Sequence, residues 1–271
     1  MWNFDQRAVK NPAASTASAS GIILLRPWDL PALCNGFLGR AGGVSAGTYA
    51  TLNLAYHIGD KAADVDENWR RVRDAIGWNG ALARVIQVHG NIVHAVTPEN
   101  AAVSREGDGM VTAHRGILLR VLSADCVPIL LYDARNEVVG AIHAGWRGAI
   151  AGIAQAGVRA MAAIGASAGV IQAALGPSIG QCCFEVDAEL AERFAREIEG
   201  AAQHSRPGRR GKAFLDLRAI ITDQLVAAGL ARESIINVGP CTRCAADRYF
   251  SRRAAGGVVT GLQASFIGMR E

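Results

Sequence analysis

The run VLSADCVPILLYDARNEVVGAIHAGWRG, Val121 to Gly148, decides how the rest of the chain is read. Within it, Pro128–Tyr132 and Val138–Ile142 are aliphatic or β-branched and too short for helices. The turn-prone Asp133-Ala134-Arg135-Asn136 lies between them, so they are predicted to pair as strands. Asp125 and Cys126 stand just before the first strand, and His143 follows the second, ahead of Ala144-Gly145-Trp146-Arg147-Gly148. Upstream, Arg84–Val88 is predicted as another short strand, ending in Gln87-Val88-His89-Gly90. A thiol and two imidazoles therefore fall at strand ends, where rigid scaffolds carry their reactive groups.

Working outward, Asp64–Ile76 is predicted as a helix, with Asp64 and Glu67 as a capping box, Val65, Trp69, Val72 and Ile76 on one face, and Gly77 as its stop. A second helix is predicted over Arg147–Ile164. It would put His143 and Arg147 at a helix entrance, where free N–H groups and the dipole favour an anion. Val170–Leu175, Ile235–Val238 and roughly Val258–Ile267 read as strands, and Asp187 and Asp216 as helix caps. Strands and helices alternate irregularly, with several hairpins, so the expected class is α/β: a mixed β-sheet covered by helices rather than a doubly wound parallel one. No linker divides residues 22–271, which are expected to form one domain. Residues 1–21 include NPAASTASASG and are expected to be disordered.

The composition excludes several functions. Half of the 271 residues are hydrophobic and the net charge is only +4. The one basic cluster, Arg206 to Lys212, carries no aromatic residue, so no nucleic-acid partner is expected. The uncharged stretch Ala160–Phe184 is interrupted by glycines and Pro177, so no membrane span is expected. Six irregularly spaced cysteines, with no apolar leader run, fit a reduced, cytoplasmic protein.

Among motifs, Gly176-x-Ser178-x-Gly180 has the nucleophile-elbow spacing. The residues after it are not helical, however, and the only later histidine is His204, in the basic loop. Cys241-x-x-Cys244 matches half of a deaminase zinc signature, but none of the six histidines is followed by x-Glu, and a lone C-x-x-C is weak evidence for redox chemistry. The glycine-rich loop Gly39–Gly47 can wrap an anion with backbone N–H groups while Arg40 adds charge. Asn53 and His57 read first as hydrogen-bonded core or loop anchors. His89, Cys126 and His143 differ in kind: two imidazoles and one thiolate suit zinc and leave one tetrahedral position open, the catalytic arrangement.

Five separated motifs, Gln87-Val88-His89-Gly90, Ala124-Asp125-Cys126-Val127-Pro128, His143-Ala144-Gly145-Trp146-Arg147-Gly148, Leu175-Gly176-Pro177-Ser178-Ile179-Gly180 and Phe250-Ser251-Arg252-Arg253, closely resemble the laccase-domain or YfiH family. Its members are described as polyphenol oxidases, purine nucleoside phosphorylases and peptidoglycan editing factors. The resemblance runs from about Ile22 onward. It implies an α/β sandwich related to the catalytic domain of cytotoxic necrotising factors, with His89, Cys126 and His143 as zinc ligands. Arg40 matches the arginine of the family's R-x-G-G-V-S loop, although Gly39 stands where Thr is usual. Cys244 falls outside the family pattern.

The resemblance also implies phosphorolysis of adenosine, inosine, guanosine and methylthioadenosine, together with adenosine deamination. Zinc would lower the pKa of a bound water to about 7, for attack on C6 of adenine. Phosphate would be held by Arg40, the Gly42-Gly43 backbone and Arg147, and ribose or base by Asn53 and His57. Four-copper oxidation needs far more imidazole than six histidines without any H-x-H pair, so copper is the lesser expectation beside zinc. Three alternatives stay open: a hydrolase editing cell-wall precursors with Cys126 as nucleophile, a laccase-like polyphenol oxidase, and a zinc-binding protein without catalysis.

Overall fold

The structure, a computed structural model, describes residues 16–17 and 21–271. The expected disordered segment 1–21 thus lies outside the described residues, apart from Gly21 and the Thr16–Ala17 pair, which forms a short strand.

Two six-stranded sheets make up the centre. The first runs in the order β1 (Thr16–Ala17), β2 (Ile23–Leu25), β3 (Leu33–Leu38), β15 (Gln263–Met269), β7 (Ile117–Ser123) and β4 (Ala81–Arg84). The second runs β14 (Ile235–Asn237), β10 (Gln172–Leu175), β8 (Val127–Asp133), β9 (Val138–Ala144), β6 (Gly109–Thr112) and β5 (Val93–Ala95). Each sheet is mixed: β4–β7, β10–β14 and β5–β6 are parallel and the other pairings antiparallel. A small third sheet joins β11 (Glu185–Asp187), β13 (Lys212–Leu215) and β12 (Ser205–Pro207).

The apolar runs are continuous because both faces of the central strands are covered. Ile117, Leu119 and Val121 of β7 meet Leu130 of β8 and Val139 and Ala141 of β9 in the layer between the sheets. On the outer face of the first sheet, Leu118 and Leu122 pack with Val65, Trp69, Val72 and Ile76 of α1 (Ala62–Ile76). On the outer face of the second, Ile129, Leu131 and Ile142 pack with α3 (Ile153–Ala163) and α5 (Leu217–Ala227). The result is a mixed-sheet sandwich covered by helices. No helix among the described residues is long and apolar enough to cross a membrane.

Several local expectations are corrected. The predicted strand Arg84–Val88 is β4 up to Arg84, followed by a lone bridge from Ile86 to Glu106. Beyond it, the N–H groups of Val88, His89 and Gly90 turn to the carboxylate of Asp108 instead of to a neighbouring strand. The single helix Arg147–Ile164 is two, α2 (Trp146–Ile150) and α3, separated by Gly152 at φ 78°. Asp64 and Glu67 form no capping box: the N-cap is Lys61, and Glu67 pairs with Arg70 and Arg71 at 2.7 and 2.8 Å. Asp187 precedes α4 (Ala188–Glu197) without a side-chain cap bond, whereas Asp216 does cap α5, accepting from Ala219 N–H at 3.0 Å.

Candidate metal centre

His89, Cys126 and His143 meet at one end of the sandwich, their ligating atoms within 4.8 Å of one another. The β8–β9 register, Val127 opposite Ala144 and Pro128 opposite His143, sets Cys126 beside the end of β9. His89 reaches in from the loop after β4, with its Nε2 3.9 Å from the Cys126 sulfur and its ring edge-on to that of His143, centroids 5.0 Å apart. A tetrahedral ion bound to one sulfur and one nitrogen holds them ~3.6 Å apart, so the spacing fits.

The groups behind the ligands complete the fit. Asp108 is fully buried, and its Oδ1 lies 2.8 Å from His143 Nδ1, which fixes that nitrogen as a proton donor and turns Nε2 to the site. The same carboxylate accepts N–H bonds from Val88, His89 and Gly90 at 3.2, 3.0 and 2.7 Å, so one side chain orients two ligands. The glycine that follows it, Gly109, is set by space: a Cβ there would lie 2.6 Å from the Ile142 side chain. A Cβ on Gly145 would lie 2.8 Å from His89 and 3.1 Å from the Cys126 sulfur, which accounts for that glycine beside the histidine. Two non-glycine residues here, His89 and Asp125, hold positive φ of 61° and 94°. Asp125 is anchored by Thr242 Oγ1 at 2.6 Å and Arg253 N–H at 2.7 Å.

Burial alone would raise the Cys126 thiol, but the charges and hydrogen bonds of His143 and His89 bring it down to about 6. Burial likewise opposes charge on His143, yet Cys126 and Asp108 raise it to about 9. The pair therefore rests as thiolate and imidazolium, an anionic soft ligand beside a nitrogen whose proton a cation can displace.

The centre opens into a cavity of about 690 Å³. His57 lines it, with Arg84, Gln87, Arg120 and Arg252, and with Ile58, Leu122, Val259 and Leu262 as apolar walls. In the sequence Arg120 is only the lone charge in the strand ILLRVLS. It is 6% exposed, its Nε finds no acceptor among the described residues, and burial and the nearby Arg84 cation lower it to about 10. The Ser123 hydroxyl, on the same strand, is also buried without a partner among the described residues.

The other expected contacts lie elsewhere. Arg40 donates from Nε and Nη2 to Ala50 O at 2.9 and 2.6 Å and from Nη1 to Ala246 O at 2.8 Å, and stacks on Phe250. It braces the glycine-rich loop and is not among the cavity residues. Asn53 is fully buried, spending its amide on Ala55 and Asp60. Arg147 is exposed and stacks on Trp146, and α2, five residues long, is too short to offer the anion seat expected at its start. Ser178 is buried under Arg218, 2.6 Å from its Nε, as befits no nucleophile. Of the six histidines only His89 and His143 share a metal-type cluster among the described residues. Cys241 and Cys244, whose C-x-x-C spacing alone is weak evidence, stand in a second such cluster, with Cys182 and Cys183.

Residues 34–270 match the family model described as multi-copper polyphenol oxidoreductase laccase. A purine nucleoside phosphorylase of Deinococcus radiodurans is 40% identical over 256 residues, covering 93% of this chain and 95% of that protein. Adenosine deaminase RL5, from an unknown prokaryotic organism, is 37% identical over 77% of this chain and 83% of its own. The crystal structure of YlmD from Geobacillus stearothermophilus superposes with a TM-score of 0.86 at 32% identity, covering 92% of this chain and 96% of that one.

Proposed function

The chain belongs to the multi-copper polyphenol oxidoreductase laccase family, and on that premise we propose that it is a zinc-dependent purine nucleoside phosphorylase that also deaminates adenosine. The observation that carries this reading is that Arg120, buried and with its Nε unpartnered among the described residues, opens into the same cavity as the His89–Cys126–His143 centre. An uncompensated buried guanidinium is costly unless a ligand supplies the charge. Phosphate is such a ligand, and Arg84 and Arg252 face the same space.

In phosphorolysis a phosphate oxygen forms a bond to the ribose C1′ while the bond from C1′ to the purine nitrogen breaks, releasing base and ribose 1-phosphate. Arg120 and Arg84 would hold the phosphate and offset its charge. The apolar wall of Leu122, Val259 and Leu262 would take the purine face, and His57 the sugar or base edge. In deamination water adds at C6 and ammonia leaves. His89, Cys126 and His143 would hold the zinc, which when bound supplies Lewis acidity and an activated water. Asp108 keeps the His143 proton on Nδ1, away from the reacting atoms.

The low thiol pKa of Cys126 also suits a nucleophile, which favours a second reading, a thiol hydrolase. One experiment separates them. Zinc-loaded protein is incubated with adenosine, with and without phosphate, and the products are resolved by chromatography. Adenine with ribose 1-phosphate only when phosphate is present, and inosine in both, is the expected result. No turnover of any purine nucleoside would overturn the proposal and leave the thiol reading.

A further inference from the structure

Four cysteines that this reaction leaves unused converge behind Asp125. Cys182 and Cys183 lie in the loop after β10, and Cys241 and Cys244 in the turn after β14. All four sulfurs fall within 4.8 Å of one another, and those of Cys183 and Cys182 lie 3.4 and 3.6 Å from that of Cys244. For zinc–sulfur bonds of about 2.3 Å, the edge of a thiolate tetrahedron is ~3.8 Å. Adjacent residues of a strand point to opposite faces. Cys182-Cys183 sit instead in a turn closed by Cys183 N–H to Gly180 O at 2.9 Å, and both side chains reach the same cluster.

The two loops are held together without any help from the sulfurs. Ser178 bridges to Cys241, and Thr242 N–H donates to Ser178 O at 3.0 Å. Arg218 donates from Nη2 to the carbonyls of Ser178 and Pro240, both at 2.7 Å. Cations surround the group: Arg243 Nη1 lies 3.6 Å from the Cys183 sulfur, and Arg253 donates to Cys183 O at 3.0 Å. Such neighbours offset the surplus negative charge of four thiolates around a divalent ion. Cys182 and Cys244 are exposed, which gives an ion a way in.

We propose that Cys182, Cys183, Cys241 and Cys244 form a second, structural metal site that holds one zinc ion. Four thiolates select a soft metal and leave no coordination position for water, the arrangement of structural rather than catalytic zinc. The sulfurs are too close together to enclose a multi-iron cluster. As each binds, its thiol proton passes to solvent. The site has a purpose at the first centre: Thr242, inside the C-x-x-C turn, donates to the carboxylate of Asp125, the residue before Cys126. The second ion would clamp the loop that sets the angle of the metal-binding Cys126 thiolate.

The test counts and identifies metal in the full, untagged chain, purified with reductant and then cleared of loose ions. Wild type should carry two zinc ions per chain, Cys126→Ala one, and Cys126→Ala with Cys244→Ser none. In Cys126→Ala, X-ray absorption should show a shell of sulfur alone, and cobalt exchange should give the intense thiolate charge-transfer band of a multi-sulfur site. Cys126→Ala without metal, or with nitrogen in the shell, would overturn the proposal, as would a Cys183–Cys244 disulfide surviving reductant. Because these readouts use a chain lacking a ligand of the first centre, they stand whether or not nucleosides are turned over.

Discussion

At Asp108 a single carboxylate takes four hydrogen bonds, from His143 and from the backbone of Val88, His89 and Gly90. Asp108→Asn keeps the shape but sets an amide N–H against those donors and loosens the His143 tautomer. Zinc affinity at the first centre, measured by chelator competition, should fall about 10- to 100-fold with the fold intact. Gly145→Ala should also weaken that centre, since its methyl would press on His89 and the Cys126 sulfur; unaltered affinity would mean that the loop yields freely. The proton balance gives a sharper test. With Cys126 at about 6 and His143 at about 9, the metal-free pair holds one proton from about pH 7 to 8, on the imidazole. The unfolded pair also holds one there, on the sulfur, since free His and Cys titrate near about 6.5 and 8.5. Cys126 is lowered and so stabilises less as pH falls toward 6; His143 is raised and stabilises less as pH rises toward 9. The two slopes cancel, so the pair gives stability no pH dependence in that window. Zinc binding expels the proton, so affinity should tighten about tenfold per pH unit between pH 7 and 8. A flat profile would show that His143 is already neutral.

At the scale of elements, β7 carries what the sequence hid. A charged residue within ILLRVLS reads as a strand imperfection, yet alternation puts Arg120 on the outer face with Leu118 and Leu122, beneath Trp69 of α1 and beside the cavity. The three metal-type residues were legible because their side-chain chemistry is rare and each lies near a strand end. Asp108 was hidden inside a Gly-Asp-Gly that reads as a turn. Arg40 and Asn53 were misleading for a common reason: a polar side chain beside glycines or apolar residues looks free in one dimension, and only the fold reveals the carbonyls that occupy it. Arg120→Met should keep the packing and cut phosphorolysis about ten- to a hundredfold, as expected for losing a charge-assisted bond of roughly 1.5–3 kcal/mol, while inosine formation changes far less. Arg40→Ala should instead lower the melting temperature and reduce both products together. Adenine and inosine yields from adenosine at fixed phosphate distinguish the two outcomes. Selective loss of adenine in Arg40→Ala would return the phosphate to the glycine-rich loop.

For the molecule as a whole, the class of fold was legible from the irregular alternation of strands and helices, but the division into two sheets was not. Nothing in the periodicity of β7 or β9 says which of two buried faces meets the other sheet and which meets a helix, and strand order depends on partners far away in sequence. One pairing has a consequence for synthesis. β15 lies between β3 and β7 and, among the described residues, is the only strand joining them. Until Gln263–Met269 leave the ribosome, the nascent first sheet is two separate pieces with open edges, and Phe266 and Ile267 are missing from the core layers on its two faces. A chain stopped before Gln263 keeps every proposed metal ligand and should still fail to fold, collecting as aggregate or on chaperones. Supplying the strand as a separate peptide should rescue part of it.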